Sequence, residues 1–383
     1  MKVLYTTGEA MYLAEGGKSI ELPSYRAQQY QATIEQITNN KAWKTTGRGA
    51  QFMGVAEMQT EEDVKPVICG LALYHDEFLY TLRLDASGGM YRRDFSEKAQ
   101  PEGHICSGND VRLGAICARG EDVAACVQYP NGQSHIGMYH LPASYCTEIT
   151  GGDSVETAPS WTPDGRCLLF ASCGIGRSDR GIAYSPNVLM EYNVHSERME
   201  TILEDEKYDF LAPKRDADDA LWYIRQPYRL GEEKASFGSI LLDVLLFPVR
   251  LLKAIGGFLN AFSMLFGGES LRANSQQSRD TKSKQKSEKD LFFEGNLIHA
   301  EQNEKENQRS GDTYPGLLPR NRVLIRRAPD GTEEVMAKAV LDYCLCSEGV
   351  VYSNGAHILL RKPDGSTEEI AKAKLASKLQ CME

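Results

Sequence analysis

Ala158-Pro159-Ser160-Trp161-Thr162-Pro163-Asp164-Gly165-Arg166-Cys167-Leu168-Leu169-Phe170-Ala171-Ser172 is the stretch that decides the fold. Pro163 sets φ for the first central position of a tight turn, Asp164 can bond back to the backbone, and Gly165 accepts positive φ, so this tripeptide joins two antiparallel strands. The tryptophan before the turn and the apolar run after it are expected to face the packing between sheets. Val188-Leu189-Met190-Glu191-Tyr192-Asn193-Val194 and Met199-Glu200-Thr201-Ile202-Leu203 read as the two outer strands of the same unit.

The unit recurs. Arg327-Ala328-Pro329-Asp330-Gly331-Thr332-Glu333-Glu334-Val335 returns as Arg361-Lys362-Pro363-Asp364-Gly365-Ser366-Thr367-Glu368-Glu369-Ile370. A degenerate copy, Leu211-Ala212-Pro213-Lys214-Arg215-Asp216-Ala217-Asp218-Asp219-Ala220-Leu221-Trp222-Tyr223-Ile224, has lost the proline and glycine of the turn. The two chain ends match as well: Val350-Val351-Tyr352-Ser353-Asn354-Gly355 parallels Val3-Leu4-Tyr5-Thr6-Thr7-Gly8. First and last repeats are therefore expected to be neighbours in a closed ring, which argues against a β-sandwich of the same strand count.

These motifs resemble the repeat of TolB-like and WD-repeat-like β-propellers, in which a tryptophan-containing strand, a Pro-Asp-Gly turn and a strand like Leu168 to Ser172 open each blade. The resemblance covers about three quarters of the chain and implies an all-β propeller, whose functions across the family are too varied to transfer. Blades are expected near 1–24, 44–96, 104–150, 156–204, 208–339 and 341–375. Setting aside 229–321 and a helix-like stretch at 25–43, six blades average about 45 residues and seven about 39, against roughly 40–50 for known blade types. Six is the expectation and seven stays open.

The chain accordingly divides into 1–228 (blades one to four and the first part of five), an insertion at 229–321, and 322–383 (the rest of blade five, blade six and ring closure). The first blade starts at its second strand, so another segment must complete its sheet. Lys374 to Glu383 is one candidate for that strand. Ala371 to Ala376 is also good helix sequence, which leaves the tail open between strand and helix.

Within the insertion, 237–266 places small or polar residues at Ser239, Asp243, Arg250, Lys253, Gly257 and Asn260, a narrow stripe on a helix whose other faces are apolar. A single membrane crossing is excluded, because the strands on either side belong to one blade; a re-entrant hairpin bent at Pro248 or Gly256-Gly257 remains. An in-plane interfacial helix is the leading expectation, with Leu241, Leu242, Leu245, Phe247, Leu251, Leu252, Phe258, Leu259 and Phe262 in lipid or against a partner and Arg250 and Lys253 near anionic headgroups. Packing on the propeller or on another subunit is the third reading. Residues 269–312 read as a disordered polar linker, interrupted by a short docking motif at Leu291-Phe292-Phe293 and Leu297-Ile298.

The net charge of −10 on 383 residues argues against a nucleic-acid binder. The N-terminus lacks an apolar run of signal-peptide length, so the expectation is a cytoplasmic protein, peripheral at the inner face of the membrane if the insertion binds lipid. The 10 cysteines sit mostly in apolar runs and are expected to act as small buried hydrophobes. The close pair Cys344-Leu345-Cys346 has no second Cys/His pair nearby in sequence to make a metal site.

No nucleophile elbow, Walker loop or His-Glu-x-x-His is present, and Gly174-Ile175-Gly176 falls in a predicted hairpin rather than a dinucleotide loop. His135 and His140 could meet on a hairpin, with an unpaired polar loop the commoner role. Asp110, Asp153 and Glu156 fall near predicted blade entries, where channel ligands would point, but turn-capping acids do too. No catalytic residue and no cofactor is assigned. The expected function is a non-enzymatic platform for protein partners on a propeller face; the alternative is a hydrolase or lactonase with a metal in the central channel.

Overall fold

The computed structural model describes residues 1–45, 65–85, 87–109, 111–141, 145–178, 181–228, 291–293 and 296–382. Antiparallel strands dominate. The first group is β1 (Lys2–Thr6), β2 (Met11–Glu15) and β3 (Lys18–Leu22), followed by the helix α1 (Tyr25–Thr45). Next come β4 (Val67–Tyr74), β5 (Glu77–Arg83), β6 (Gly88–Arg93) and β7 (Gly103–Gly108), then β8 (Leu113–Arg119), β9 (Asp122–Gln128), β10 (Ser134–His140) and β11 (Cys146–Glu148). The fourth group holds β12 (Ser154–Trp161), β13 (Cys167–Ser178), β14 (Gly181–Tyr184), β15 (Val188–Asn193) and β16 (Arg198–Leu203). The fifth begins with β17 (Tyr208–Arg215) and β18 (Leu221–Pro227). After β19 (Leu291–Phe293), β20 (Asn296–Ile298) and α2 (Ala300–Arg309), it resumes with β21 (Val323–Arg327) and β22 (Glu333–Lys338). The last elements are β23 (Asp342–Cys346), β24 (Gly349–Ser353), β25 (His357–Arg361), β26 (Thr367–Lys372) and β27 (Ser377–Met382).

Each group forms a four-stranded antiparallel meander, and the third and fourth are joined through a single parallel pairing of Ser134 with Val155. The long β13 runs past its own sheet to make a two-stranded ribbon with β14. β27 pairs with β1 and supplies the first meander with its innermost strand, so the tail is a strand rather than a helix. β7, expected at the start of the third unit, pairs with β6 and completes the second. β18 pairs with β21 from Leu221–Arg327 to Arg225–Val323, so the fifth sheet is continuous across the insertion.

Burial explains the order of the sheets. Alternating apolar residues leave each meander with two faces to cover, and each meander shares a core with the next one in the chain. Leu4, Met11 and Leu22 share a core with Ile68, Leu71 and Phe78. Ala72 and Leu79 pack with Ile116 and Val123, Ala124 and Ile136 with Leu168 and Phe170, and Leu169 and Leu189 with Tyr223 and Ile325. Trp222 and Leu324 then pack with Tyr343 and Val350, and Val351 and Ile358 return to Val3, Ala14 and Leu379. The sixth meander thus packs on the first.

Polar contacts cross these seams too. The Ile68 amide donates to the Gly8 carbonyl at 2.7 Å, Thr81 Oγ1 to the Gly114 carbonyl at 2.8 Å, and Tyr343 Oη to the Ala212 carbonyl at 2.6 Å. At the closing seam the Leu379 amide donates to Asp342 Oδ2 at 2.9 Å, and Cys344 is bonded to Cys381. The expectation that the cysteines serve only as buried hydrophobes is corrected for these two.

The three Pro-Asp-Gly turns share one geometry. Asp164, Asp330 and Asp364 each accept from the amide two residues on, at 3.1, 2.9 and 2.8 Å, and Gly165, Gly331 and Gly365 all have positive φ. In the degenerate copy Asp219 takes the left-handed position, at φ 64°, and Asp216 accepts from the Asp218 and Ala220 amides. Gly165 has a further constraint, since a Cβ there would lie 1.3 Å from Arg119 Nη1 of the neighbouring meander.

The expected disordered linker to 312 is corrected over its described end. Ala300–Arg309 is helical, and Ile298 and Ala300 pack with Leu317, Leu318, Ala339 and Leu341. Asn307 donates to the Gly316 and Leu318 carbonyls at 2.7 and 3.0 Å, and Asn354 donates to the Tyr314 carbonyl at 2.8 Å. Residues 298–318 therefore pack beside the starts of β23 and β27 and the turn between β24 and β25.

Candidate functional site at the ring axis

The innermost strands are β27, β4, β8, β12, β17 and β23. Several are interrupted at a matching place by extra residues: the register shifts between Leu113 and Ile116, Thr157 and Ser160, Leu211 and Lys214, and between Thr6 and Leu4 where they face Ser377 and Gln380. Ala158, Ala212 and Lys378 take positive φ there. A bulge of this kind re-aims the side chains that follow it.

In β17 the residue after the bulge is Lys214. Its ammonium lies 5.4 Å from the centre of the Tyr343 ring, with Asp342 and Cys117 as its charged and titratable neighbours. These groups come from the fifth, sixth and third meanders. Lys214 is surrounded by protein yet partly reached by solvent. Burial pulls its pKa below the ordinary lysine value, against the opposing pull of Asp342 and Cys117. Burial likewise pushes the Cys117 thiol far up, with Cys126 adding and Lys214 opposing, and pushes the Tyr343 phenol up. Gln380 completes the described axis, donating to the Leu71 carbonyl at 3.2 Å. The arrangement can hold an anionic or hydrogen-bond-accepting group against Lys214.

Sequence reasoning did not single out Lys214, Asp342 or Cys117. A usable signal was present: Leu211-Ala212-Pro213-Lys214 aligns with Thr157-Ala158-Pro159-Ser160, so the fifth repeat carries a lysine where the fourth carries a serine.

The acids proposed from sequence lie elsewhere. Glu156 is buried at the seam of the third and fourth meanders, where Oε2 meets His135 Nδ1 at 3.0 Å and Thr150 Oγ1 at 3.2 Å, and Oε1 accepts from Ser172 Oγ at 3.0 Å. Ser134 Oγ donates to the Glu156 carbonyl at 2.9 Å. Every oxygen of that residue is satisfied, and its role is to join two meanders. Asp153 is exposed and accepts from Gln133; Asp110 lies outside the described residues. His135 and His140 do not meet. They sit at opposite ends of β10, and His140 pairs with Asp122 at 2.6 Å, so both are strand residues with acidic partners rather than unpaired loop residues. Among the described residues no group of three or more His, Cys, Asp and Glu side chains is placed to hold a metal ion. Leu241, Leu242, Leu245, Phe247, Arg250, Leu251, Leu252, Lys253, Phe258, Leu259 and Phe262 lie outside the described residues, and no described helix is long and apolar enough to cross a membrane.

In fold the chain resembles TolB-like β-propellers. The TolB structure from Acinetobacter baumannii matches with 12% identity and a TM-score of 0.47, over 99% of this chain and 65% of that one, so the chain spans less than two thirds of that protein's length. A putative TolB from Agrobacterium tumefaciens matches with 13% identity and a TM-score of 0.40, over 79% of this chain and 80% of that one. An oligogalacturonate lyase in complex with manganese matches with 11% identity and a TM-score of 0.32, over 56% and 55%. No protein-family model and no curated protein matches the sequence.

Proposed function

We propose that the chain is a six-bladed β-propeller acting as a non-enzymatic platform for protein partners, held at the inner face of a membrane or against a partner by the insertion in its fifth blade. The observation that carries this reading is the unbroken β18–β21 pairing on either side of 229–321. A blade that keeps its register across so long an excursion does not need the inserted residues to pair its own strands, as expected of an appended contact element. The six meanders, each packed on the next and the last on the first, support the blade count.

The test is a variant lacking 236–268. Sedimentation with vesicles containing anionic lipid is expected for the intact protein and lost in the variant, while both unfold at the same temperature. Equal sedimentation of the two removes the membrane reading. Loss of a stoichiometric protein complex without any change in vesicle binding assigns the insertion to a partner instead.

The second reading is a hydrolase or lactonase with a metal in the channel, and the polar axis at Lys214 and Asp342 is the observation that favours chemistry there. Lys214 beside Asp342 disfavours a divalent ion at that carboxylate, because its ammonium repels a second cation. Calorimetric titration with manganese and calcium, paired with an ester and lactone hydrolysis assay, decides between the two: metal-dependent turnover lost in Asp342→Asn replaces the platform reading.

A further inference from the structure

We infer that the last strand, β27, is covalently pinned to the sixth meander by the Cys344–Cys381 disulfide, and that reduction of this bond by a thiol reductant unfastens that strand. Cys344 lies on β23, the innermost strand of the sixth meander, and Cys381 on β27, the innermost strand of the first. Their Cα atoms are 6.3 Å apart, inside the range a disulfide spans without moving the backbone.

The position makes the bond consequential. The first meander takes β27 from the other end of the chain: residues 373–376 join β27 to the sixth meander and the bond reinforces that link, whereas β1 is tied to β27 by strand pairing and side-chain contacts. A β27 that loosens from the sixth meander therefore loosens its pairing with β1. β27 is an edge strand, and an edge is where a sheet opens first. The bond sits one residue short of the end of β27, so opening from that end of the strand is arrested at its first step. The crosslink closes a loop with a sequence separation of 37, which runs from the middle of β23 through β24, β25 and β26 into β27.

The two sulfurs differ in access. Cys344 is buried at 4% exposure, whereas Cys381 is only partly buried. A thiolate from a dithiol or from the glutathione class therefore attacks Cys381 Sγ. Its sulfur forms a mixed disulfide with Cys381 and expels the Cys344 thiolate, which takes a proton. A second reductant thiol then breaks the mixed disulfide, leaving Cys381 as a thiol and the reductant as its own disulfide, two electrons having passed to the protein. The latch is shut in an oxidising compartment and open where a thiol pool keeps cysteines reduced.

The test uses the full chain, oxidised with glutathione disulfide or reduced with dithiothreitol. Trypsin of the oxidised, alkylated protein is expected to yield peptide 339–361 linked to peptide 379–383, and reduction should separate them. Amide exchange in 377–382 and 2–6 is expected to accelerate at least tenfold on reduction while β13 is unchanged, and the melting temperature to fall by roughly 4–8 °C. The double variant Cys344→Ala/Cys381→Ala should exchange like the reduced protein under both conditions. Absence of the linked peptide after oxidation overturns the inference, as does a reduction effect that persists in the double variant.

Discussion

Leu379→Ala measures how much of the ring depends on its closing strand. Leu379 is 1% exposed and packs with Val3, Ala14, Val351, Ile358 and Ala376 in the core shared by the sixth and first meanders. Its backbone amide, which donates to Asp342, is kept by the substitution, so the loss is one of packing. Removing three buried carbons costs about 2.4 kcal/mol at about 0.8 kcal/mol each. With the cavity and its partial collapse included, buried Leu→Ala changes as a class cost between about 2 and 5 kcal/mol. At about 2 °C per kcal/mol for a domain of this size, the midpoint should fall by about 4–10 °C. The assay is urea unfolding with thermal melts followed by circular dichroism, beside Val335→Ala on the outer strand of the fifth meander. Val335 is 46% exposed, and its truncation should stay within about 0.5 kcal/mol. If Leu379→Ala melts within 1 °C (about 0.5 kcal/mol) of the parent, β27 contributes no core and the closure argument fails.

Lys214→Met should stabilise the protein, and the gain should depend on pH. The folded-state pKa of Lys214 lies below 10.5, so the penalty for holding it charged is fully present below the folded value and fades as pH rises towards 10.5. Melts at pH 7 and pH 10.5 check this, and a gain that grows with pH has the wrong sign. Gly165→Ala should cost more than Gly365→Ala. Both incur about 1–2 kcal/mol for left-handed φ, but only the first displaces Arg119 from the Thr162 carbonyl; urea midpoints of the pair give the difference, expected at about 1–3 kcal/mol. Glu156→Ala leaves His135, Ser172 and Thr150 without their shared acceptor and should cost about 3–5 kcal/mol, whereas His135→Phe should cost less, because Ser172 and Thr150 still satisfy the carboxylate.

The parts of this fold that were readable in advance are those whose cause is local. Pro163-Asp164-Gly165 and its two copies specify their turns through φ preference and one short Asx bond, and all three form as read. β7 was misplaced because His104-Ile105-Cys106 has no strong alternation, and its pairing with β6 is set by a neighbour rather than by its own residues. Ala300–Arg309 is polar nearly throughout, so composition spoke for disorder. Ala300 and Asn307, two turns apart on one face, nevertheless bury against the loop at Gly316 to Leu318 and supply the packing that composition could not reveal.

The amino-acid sequence by itself determined the all-β class, the repeat and the neighbourhood of first and last units, because each follows from turn chemistry or from periodic strands a few residues apart. Only the tertiary structure decided what the repeats enclose. Lys214, Asp342 and Cys117 come from three meanders, Glu156 and His135 from two, and Cys344 finds Cys381 rather than its near neighbour Cys346. Such groups meet because separate innermost strands converge on one axis and one seam, and a convergence of that kind leaves no mark on local sequence.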